Sequence, residues 1–513
     1  MAKLLTTDSA PDTAADSATS RLLADADACY RAMQSHDARF DGRFFVAVRT
    51  TRIYCRPVCR VRLPRQRNCT FYPSAAAAEG AGYRPCLRCR PELAPGWAAI
   101  DSASQLARAA AHLIETTLAE GADLTAVAAR VGVTDRHLRR LFDTHFGVSP
   151  VAYAQTQRLL LAKRLLTDTR LSVLAVANAA GFGSVRRLNA SMRERYRLTP
   201  TDLRKKSLAG SEKAGVANES LRQSFEFVLP LRQPYDWPAM HGFLASRVIG
   251  GLEVANAREY KRIITLTSPE SVHTGWLAAR VTGKKPVMVL SVSHELGPVL
   301  AQVLPLARTL FDLDLEPESV NKALGALALE RPGLRLAGAA NGFEIAVRAV
   351  LGQQITVKAA RTLAERLVRT FGESCDFPTQ PALTHAFPTA SQIAEASAEQ
   401  MGKLGVIRRR VQTIKTIAKE LTQGNLLLSP GAPVDETLAA LKALPGVGDW
   451  TAQYIAMRAL RWPDAFPAAD YGVMKALNVK TAAQATRAAQ NWRPWRAYAV
   501  MHLWASLAEE KKP

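Results

Sequence analysis

Four cysteines in two close pairs, Cys55-x3-Cys59 and Cys86-x2-Cys89, constrain this chain more than any other feature. Two ligands from each of two tight turns is the arrangement that a tetrahedral thiolate zinc site requires. The alternative is a set of buried, unligated thiols. Six of the seven cysteines lie before residue 90, and Cys375 stands alone. The count is odd, and the polar stretch from Met1 to Ser20 lacks the apolar core of a secretory signal, so a disulfide framework is not expected. Cys29, Cys69 and Cys375 have no partner at ligand spacing and read as structural. Residues 27–93 are short and loop-rich, with strand-like runs at 43–49 and at Phe71-Tyr72. A unit that small needs a metal to hold it.

Charge points to the partner. Lysine and arginine total 67 against 45 aspartate and glutamate, a net charge of +22. Residues 1–206 hold 32 basic and 18 acidic side chains, net +14, which leaves +8 for the remaining 307. A surface of that sign attracts a polyanion, most often nucleic acid. No apolar run reaches the ~18 residues a bilayer span needs, so no membrane partner is expected. The reading is a cytoplasmic, nucleoid-associated monomer.

Patterning divides the 513 residues into several domains. A flexible N-terminus (1–26) precedes the cysteine module. An Ala-, Leu- and Arg-rich helical stretch covers 101–206, and a small polar linker covers 207–218. Strand-like runs at 225–229, 260–267 and 286–292 mark a small antiparallel-sheet α+β domain over 221–312, and helical patterning returns over 313–507. The fold class is multidomain and mainly α. The linker makes independent motion of the two halves the default expectation.

The helical stretch contains two similar units. One amphipathic segment ends at Val131-Gly132-Val133, and Thr134 stands where an N-cap opens the next helix. That helix carries Arg136, His137, Arg139 and Arg140 on polar positions, with Leu138, Leu141 and Phe142 inward. The grammar recurs at Gly181-Phe182-Gly183-Ser184, followed by Arg186, Arg187, Arg193 and Arg195. A recognition helix needs such basic and polar side chains on its groove face. A bundle with a solvated basic face is the alternative for one unit, and two units joined by one long helix over 150–168 disfavour it. The pair resembles the AraC-type DNA-binding domain, including its Gly-Phe-x-Ser turn and the Thr199-Pro200 ending. Asn189 stands where that family usually has an aromatic, so the second unit is expected to read DNA weakly.

With that module attached, Tyr54-Cys55-Arg56-Pro57-Val58-Cys59 and Tyr83-Arg84-Pro85-Cys86-Leu87-Arg88-Cys89 resemble the N-terminal domain of Ada methylation-response proteins. The resemblance implies one Zn²⁺ held by Cys55, Cys59, Cys86 and Cys89, with Cys55 as acceptor of a methyl group from DNA methylphosphotriesters. A purely structural zinc is the alternative. Arg56, Arg60, Arg62, Arg65 and Arg67 would hold backbone phosphates, and transcription activation implies RNA polymerase as a partner. The Pro-Cys-His-Arg motif of O6-alkylguanine transferases does not occur after residue 206, so methyl transfer from bases is not expected.

The C-terminal half carries Leu444-Pro445-Gly446-Val447-Gly448-Asp449-Trp450, flanked by helical runs. Glycines at 446 and 448 leave backbone amides uncovered to donate to a phosphate at a helix N-terminus. Asp470, in Phe466-Pro467-Ala468-Ala469-Asp470, follows about 20 residues later. Together these resemble the helix-hairpin-helix, Gly/Pro-rich, Asp signature of base-excision glycosylases. Over 221–507 the chain is similar to the AlkA-type 3-methyladenine glycosylases II, sharing Pro234-Tyr235-Asp236-Trp237 and Val350-Leu351-Gly352-Gln353-Gln354. The resemblance implies Asp470 as the catalytic carboxylate and Trp450, Tyr454 and Trp504 as the walls of a pocket for a flipped base. Glycosylases of this superfamily that cut the strand carry lysine where Trp450 stands, so a monofunctional enzyme is expected. Gln354 occupies the duplex-wedge position, which is leucine in the best-known AlkA pattern. The whole reads as a fused alkylation sensor and repair enzyme acting on double-stranded DNA. The rivals are a methylation-responsive transcription regulator with an inert glycosylase-like half, or a repair enzyme whose N-terminal half only tethers DNA.

Overall fold

The computed structural model describes Leu23 and residues 25–94, 102–117, 123–211, 224–283 and 286–509. Most of the N-terminal stretch 1–26 and part of the expected linker, 212–218, lie outside the described residues. The chain divides into two compact units between Pro91 and Glu92.

In the first unit α1 (Ala26–Gln34) opens on Asp25, whose carboxylate accepts from the Ala28 amide at 2.8 Å. Its Cys29, Ala32 and Met33, spaced to share one face, pack on Phe44 and Val46. Burial, then the nearby Asp25 charge, pushes the Cys29 thiol up to about 11, which suits a structural cysteine. The sheet runs β3-β1-β2-β4, with β1 (Phe45–Val48), β2 (Ile53–Cys55), β3 (Cys69–Tyr72) and β4 (Arg84–Pro85). Strand β1 is antiparallel to both neighbours, and β2 is parallel to β4. A short α2 (Ala75–Gly80) precedes β4.

The second unit begins with α3 (Ser102–Thr116) and the double helix-turn-helix: α4 (Leu124–Arg130), α5 (Asp135–Phe146), the long α6 (Pro150–Asp168), α7 (Val173–Ala179), α8 (Val185–Tyr196) and α9 (Pro200–Ser211). Helix α9 takes in 207–211, so the expected linker starts inside a helix. The next sheet has the order β5-β9-β8-β7-β6, antiparallel throughout. Its strands are β5 (Ser224–Pro230), β6 (Glu253–Ala255), β7 (Tyr260–Thr267), β8 (Val272–Thr282) and β9 (Val287–Ser293), with α10 (Trp237–Ala245) after β5.

The centre of this sheet is buried on both faces, and successive residues there serve different cores, while Glu226 and Val228 of the edge strand β5 are exposed. Ile263, Trp276 and Ala278 join one hydrophobic cluster, while their neighbours Ile264, Leu277 and Ala279 join the other. The second cluster also contains Leu159, Leu165 and Leu166 of α6, Val176 of α7, and Leu188, Met192 and Tyr196 of α8. Arg164 of α6 donates to the Val228 carbonyl of β5 at 3.1 Å, and its guanidinium lies 5.3 Å from the Phe227 ring centre. The helical module and the sheet thus share one core within the second unit. Parting the helical module from the sheet would expose this core, at roughly 1.5–3 kcal/mol per large apolar side chain.

Helix α11 (Leu300–Leu310) adds Leu300, Val303 and Leu304 to the second cluster, whereas the first belongs to the helical C-terminal domain: α12 (Pro317–Leu324), α13 (Gly342–Leu351), α14 (Val357–Phe371), α15 (Ala390–Glu395), α16 (Ala398–Lys403), α17 (Arg408–Thr422), α18 (Val434–Ala443), α19 (Asp449–Arg458), α20 (Tyr471–Ala476), α21 (Ala482–Ala488) and α22 (Arg496–Glu509). Helix α13 is pinned to the sheet by buried charges: Arg262 meets Glu253 at 3.3 Å and Glu344 at 2.5 Å, and Arg348 meets both carboxylates at 2.7 Å. Burial would raise the Glu344 carboxyl, but Arg262 and Arg348 hold it below its usual range. Among the described residues no helix is long and apolar enough to cross a membrane.

Candidate functional site

Each of the four cysteines is delivered by a separate local constraint. Cys55 ends β2, in register with Val46 of β1. The Cys59 amide donates to the Arg56 carbonyl at 3.1 Å, and the Cys86 amide to that of Tyr54 at 3.0 Å. Cys89 Sγ accepts from the Arg56 amide at 3.4 Å. The four Sγ atoms lie within 4.8 Å of one another. Zinc–sulfur bonds of ~2.3 Å place tetrahedral ligands ~3.8 Å apart, so the set fits one zinc ion with little closure. A hydrogen bond with Cys59 pushes the Cys55 thiol up, while one from Cys55 pulls Cys86 down. Crowded sulfurs share protons, and a divalent cation takes the place of those protons.

Arg56, expected at a backbone phosphate, already has partners within the protein. Its Nε donates to Asp41 Oδ1 at 2.8 Å and its Nη1 to the Cys89 carbonyl at 3.2 Å, so it turns inward and braces the metal turns. Arg60, Arg62, Arg65 and Arg67 are exposed. In the helix-turn-helix module, Thr134 and Ser184 cap α5 and α8, accepting from the His137 amide at 3.3 Å and the Arg187 amide at 3.2 Å. Arg136, Arg139 and Arg140 on α5, and Arg186 and Arg187 on α8, are exposed, while Leu138, Leu141 and Phe142 are buried. The Asn189 amide turns back to the Val185 carbonyl at 2.9 Å.

The hairpin lies between α18 and α19. Gly446 has φ +88°, and a Cβ there would sit 2.0 Å from Thr413 Oγ1, so no larger residue fits. Gly448 is the N-cap of α19 and faces open space.

Asp470 is the N-cap of α20. Its Oδ1 accepts from the Val473 amide at 3.0 Å and from Trp504 Nε1 at 2.9 Å, and its Oδ2 from Trp450 Nε1 at 2.9 Å. Two indoles from α19 and α22 thus hold one carboxylate. The Trp450 and Tyr454 rings stack at 5.5 Å and 13° between planes, and Tyr454 lies 6.4 Å from Trp504. All three rings are half-buried, and together they form an aromatic cluster beside the carboxylate. The structure adds a residue that sequence reasoning missed: Phe243 of α10 stacks on Trp504 at 6.4 Å and 13°. Behind these rings stand Arg247, 3.8 Å from the Phe243 ring centre, and Arg458, whose Nη1 donates to the Tyr454 hydroxyl at 3.0 Å. Burial raises the Tyr454 phenol, but the charges of Arg458, Arg247 and Arg348 outweigh it and hold the phenol below its usual value. Nothing in local spacing marks Phe243, because it enters from another domain. Gln354 lies exposed on the turn between α13 and α14, with φ +55°.

Four family models match in series. "Metal binding domain of Ada" covers residues 28–92, "Helix-turn-helix domain" 127–206, "AlkA N-terminal domain" 226–341 and "HhH-GPD superfamily base excision DNA repair protein" 347–493. The chain is similar to the probable bifunctional transcriptional activator/DNA repair enzyme AlkA of Mycobacterium tuberculosis, 39% identical over 496 residues, which is 94% of this chain and 97% of the relative. It is also similar to DNA-3-methyladenine glycosylase 2 of Escherichia coli, 34% identical over 54% of this chain and 96% of the relative. The bifunctional transcriptional activator/DNA repair enzyme Ada of Escherichia coli matches at 35% identity over 29% of this chain and 41% of the relative. The serial order of the four domains and the near full-length likeness place the chain in the family of bifunctional transcriptional activator/DNA repair enzymes, with a zinc-binding Ada-type domain and an AlkA-type glycosylase on one polypeptide.

Proposed function

We propose that this protein excises alkylated bases of the 3-methyladenine and 7-methylguanine class from double-stranded DNA by hydrolysis. We further propose that it accepts a methyl group from DNA methylphosphotriesters on Cys55 and then activates transcription. The observation that carries the first part is Asp470 held by two indole N–H groups at 2.9 Å beside the aromatic cluster.

An N3- or N7-alkylated purine is already cationic and leaves without acid assistance once the sugar's developing positive charge is stabilised. The Asp470 carboxylate, fixed before substrate arrives, stabilises that charge and orients the attacking water. Water adds to the anomeric carbon, the C–N bond breaks with its electron pair on the base, and the water proton goes to solvent. Trp450, Tyr454, Trp504 and Phe243 receive the flipped base, whose electron-poor ring favours π faces. Gly446 and Gly448 hold the backbone, and Gln354 fills the vacated stack. No lysine stands at position 450, so the abasic strand stays uncut.

For the second activity, a bound zinc ion keeps the four sulfurs as thiolates. Cys55 Sγ attacks the methyl carbon; the C–S bond forms, the C–O bond breaks, and the phosphate leaves as a diester anion. The thioether does not reverse, so one protein takes one methyl. Loss of one thiolate charge reduces repulsion from DNA, while Arg60 and Arg62 hold neighbouring phosphates and Arg136, Arg139, Arg140, Arg186 and Arg187 read the promoter. In this reading the functional division is 27–93, 101–206, 221–312 and 313–507, and the protein acts as a monomer on the nucleoid with RNA polymerase as partner.

The deciding experiment measures release of 3-methyladenine and 7-methylguanine from methylated duplex DNA by the parent protein and by Asp470→Asn. Asparagine preserves the helix cap, so folding is retained. Release lost in the variant, with strands uncut, is expected. No release from the folded parent protein would leave a methylation regulator with an inert C-terminal half. Uptake of one labelled methyl per chain, lost in Cys55→Ser, tests the second activity.

A further inference from the structure

We propose that Gln353 is a positioning residue that fastens the turn carrying Gln354 to the helix-hairpin-helix, so that the phosphate grip and the duplex wedge act as one rigid body. The inference rests on the reading of Gln354 as the wedge. That side chain sits on an exposed turn in a left-handed conformation, φ +55°, which a non-glycine residue holds only where its surroundings impose it. The surroundings come from its neighbour. The Gln353 side-chain amide has two N–H groups, and its Nε2 donates at 3.0 Å to the Gly446 carbonyl in the hairpin and at 3.0 Å to Thr451 Oγ1 in the first turn of α19.

Helix α17 closes the assembly from a third side. Arg410 donates to the Gln353 carbonyl, and Thr413 donates to the Pro445 carbonyl at 2.9 Å while filling the space beside Gly446. One glutamine therefore joins the wedge turn, the phosphate-binding hairpin and the helix that carries Trp450 and Tyr454. The residue type follows from the span. Asparagine is one methylene too short to reach both acceptors, glutamate offers no donor to the Gly446 carbonyl, and leucine fills the space without either bond. A displacement of about 1 Å between hairpin and turn is enough to carry a positioned group out of register.

The test compares parent, Gln353→Leu, Gln354→Ala and the double variant on two duplexes. In one the alkylated base is paired; in the other it sits in a single-nucleotide bulge, already outside the stack. Gln353→Leu is expected to lower kcat on the paired lesion by on the order of tenfold, with KM, binding to undamaged duplex and Tm close to the parent, and with the bulged lesion released at nearly the parent rate. Gln354→Ala is expected to show the same selective loss, and the double variant to be no worse than either single one, because the two residues act as a unit. If Gln354→Ala releases the paired lesion normally, the wedge reading fails and takes the proposal with it. If Gln354→Ala is impaired but Gln353→Leu is not, or if Gln353→Leu loses both substrates equally, the positioning role alone is overturned.

Discussion

In the proposed reading a single carboxylate holds much of the chemistry, and its donors set how well it works. Asp470 accepts from Trp450, Trp504 and the Val473 amide, so each donor can be removed in turn. Trp504→Phe keeps a flat ring in the aromatic cluster but deletes the 2.9 Å bond to Oδ1. Single-turnover base release is expected to slow by roughly 10- to 150-fold, in line with ~1.5–3 kcal/mol for one charge-assisted bond, while the affinity for abasic duplex changes little. Residues of this kind were legible where chemistry needs a short, fixed spacing. The four cysteines, the hairpin glycines and Asp470 could all be named from sequence. The contact of Arg56 with Asp41 was not legible, because a basic residue beside a metal motif looks the same whichever acidic group it meets. Phe243 and Gln353 act through neighbours distant in sequence, and no local pattern records that.

Elements show the same division between local and distant causes. Strand β7 was visible because Tyr260 to Thr267 is rich in aromatic and β-branched residues, whereas β8, interrupted by His273, Thr274, Gly275 and Arg280, was not. At the hairpin, Gly446→Ala forces a Cβ against Thr413 on a left-handed backbone. It is expected to cost about 1–3 kcal/mol and to raise KM for DNA more than it lowers kcat, checked by denaturant titration beside steady-state kinetics. Helix α22 contributes a pH dependence. Burial, then the charge of Arg331, pushes His502 down from 6.5 to about 4. The folded state keeps this ring neutral while the unfolded chain protonates it from 6.5 downward. Its contribution is therefore whole above pH 6.5 and is lost as pH falls toward 4, by about 3 kcal/mol. Urea unfolding at pH 7 and pH 5 checks the slope, and His502→Gln is expected to flatten it.

For the whole molecule, the four domain types were readable in order, but how they join was not. The polar stretch around 207–218 looked like a free tether, while the apolar face of α6 that abuts β5 has the same 3.6-residue period as any core helix. Calorimetry is expected to show the helix-turn-helix module and the glycosylase melting in one transition. A zinc chelator is expected to abolish methyl uptake and leave base release unchanged, since the cysteine module is a separate compact unit. A separate glycosylase peak well above a helix-turn-helix peak would contradict the shared core. The core of α6, α8 and the sheet also bears on inheritance. A substitution at Leu165 or Phe227 lowers the folded fraction of regulator and repair enzyme together, so neither activity can drift toward lower stability alone. The two trades, joined in one chain, answer to a single threshold, and cutting that chain after α9 would leave each piece without part of its core.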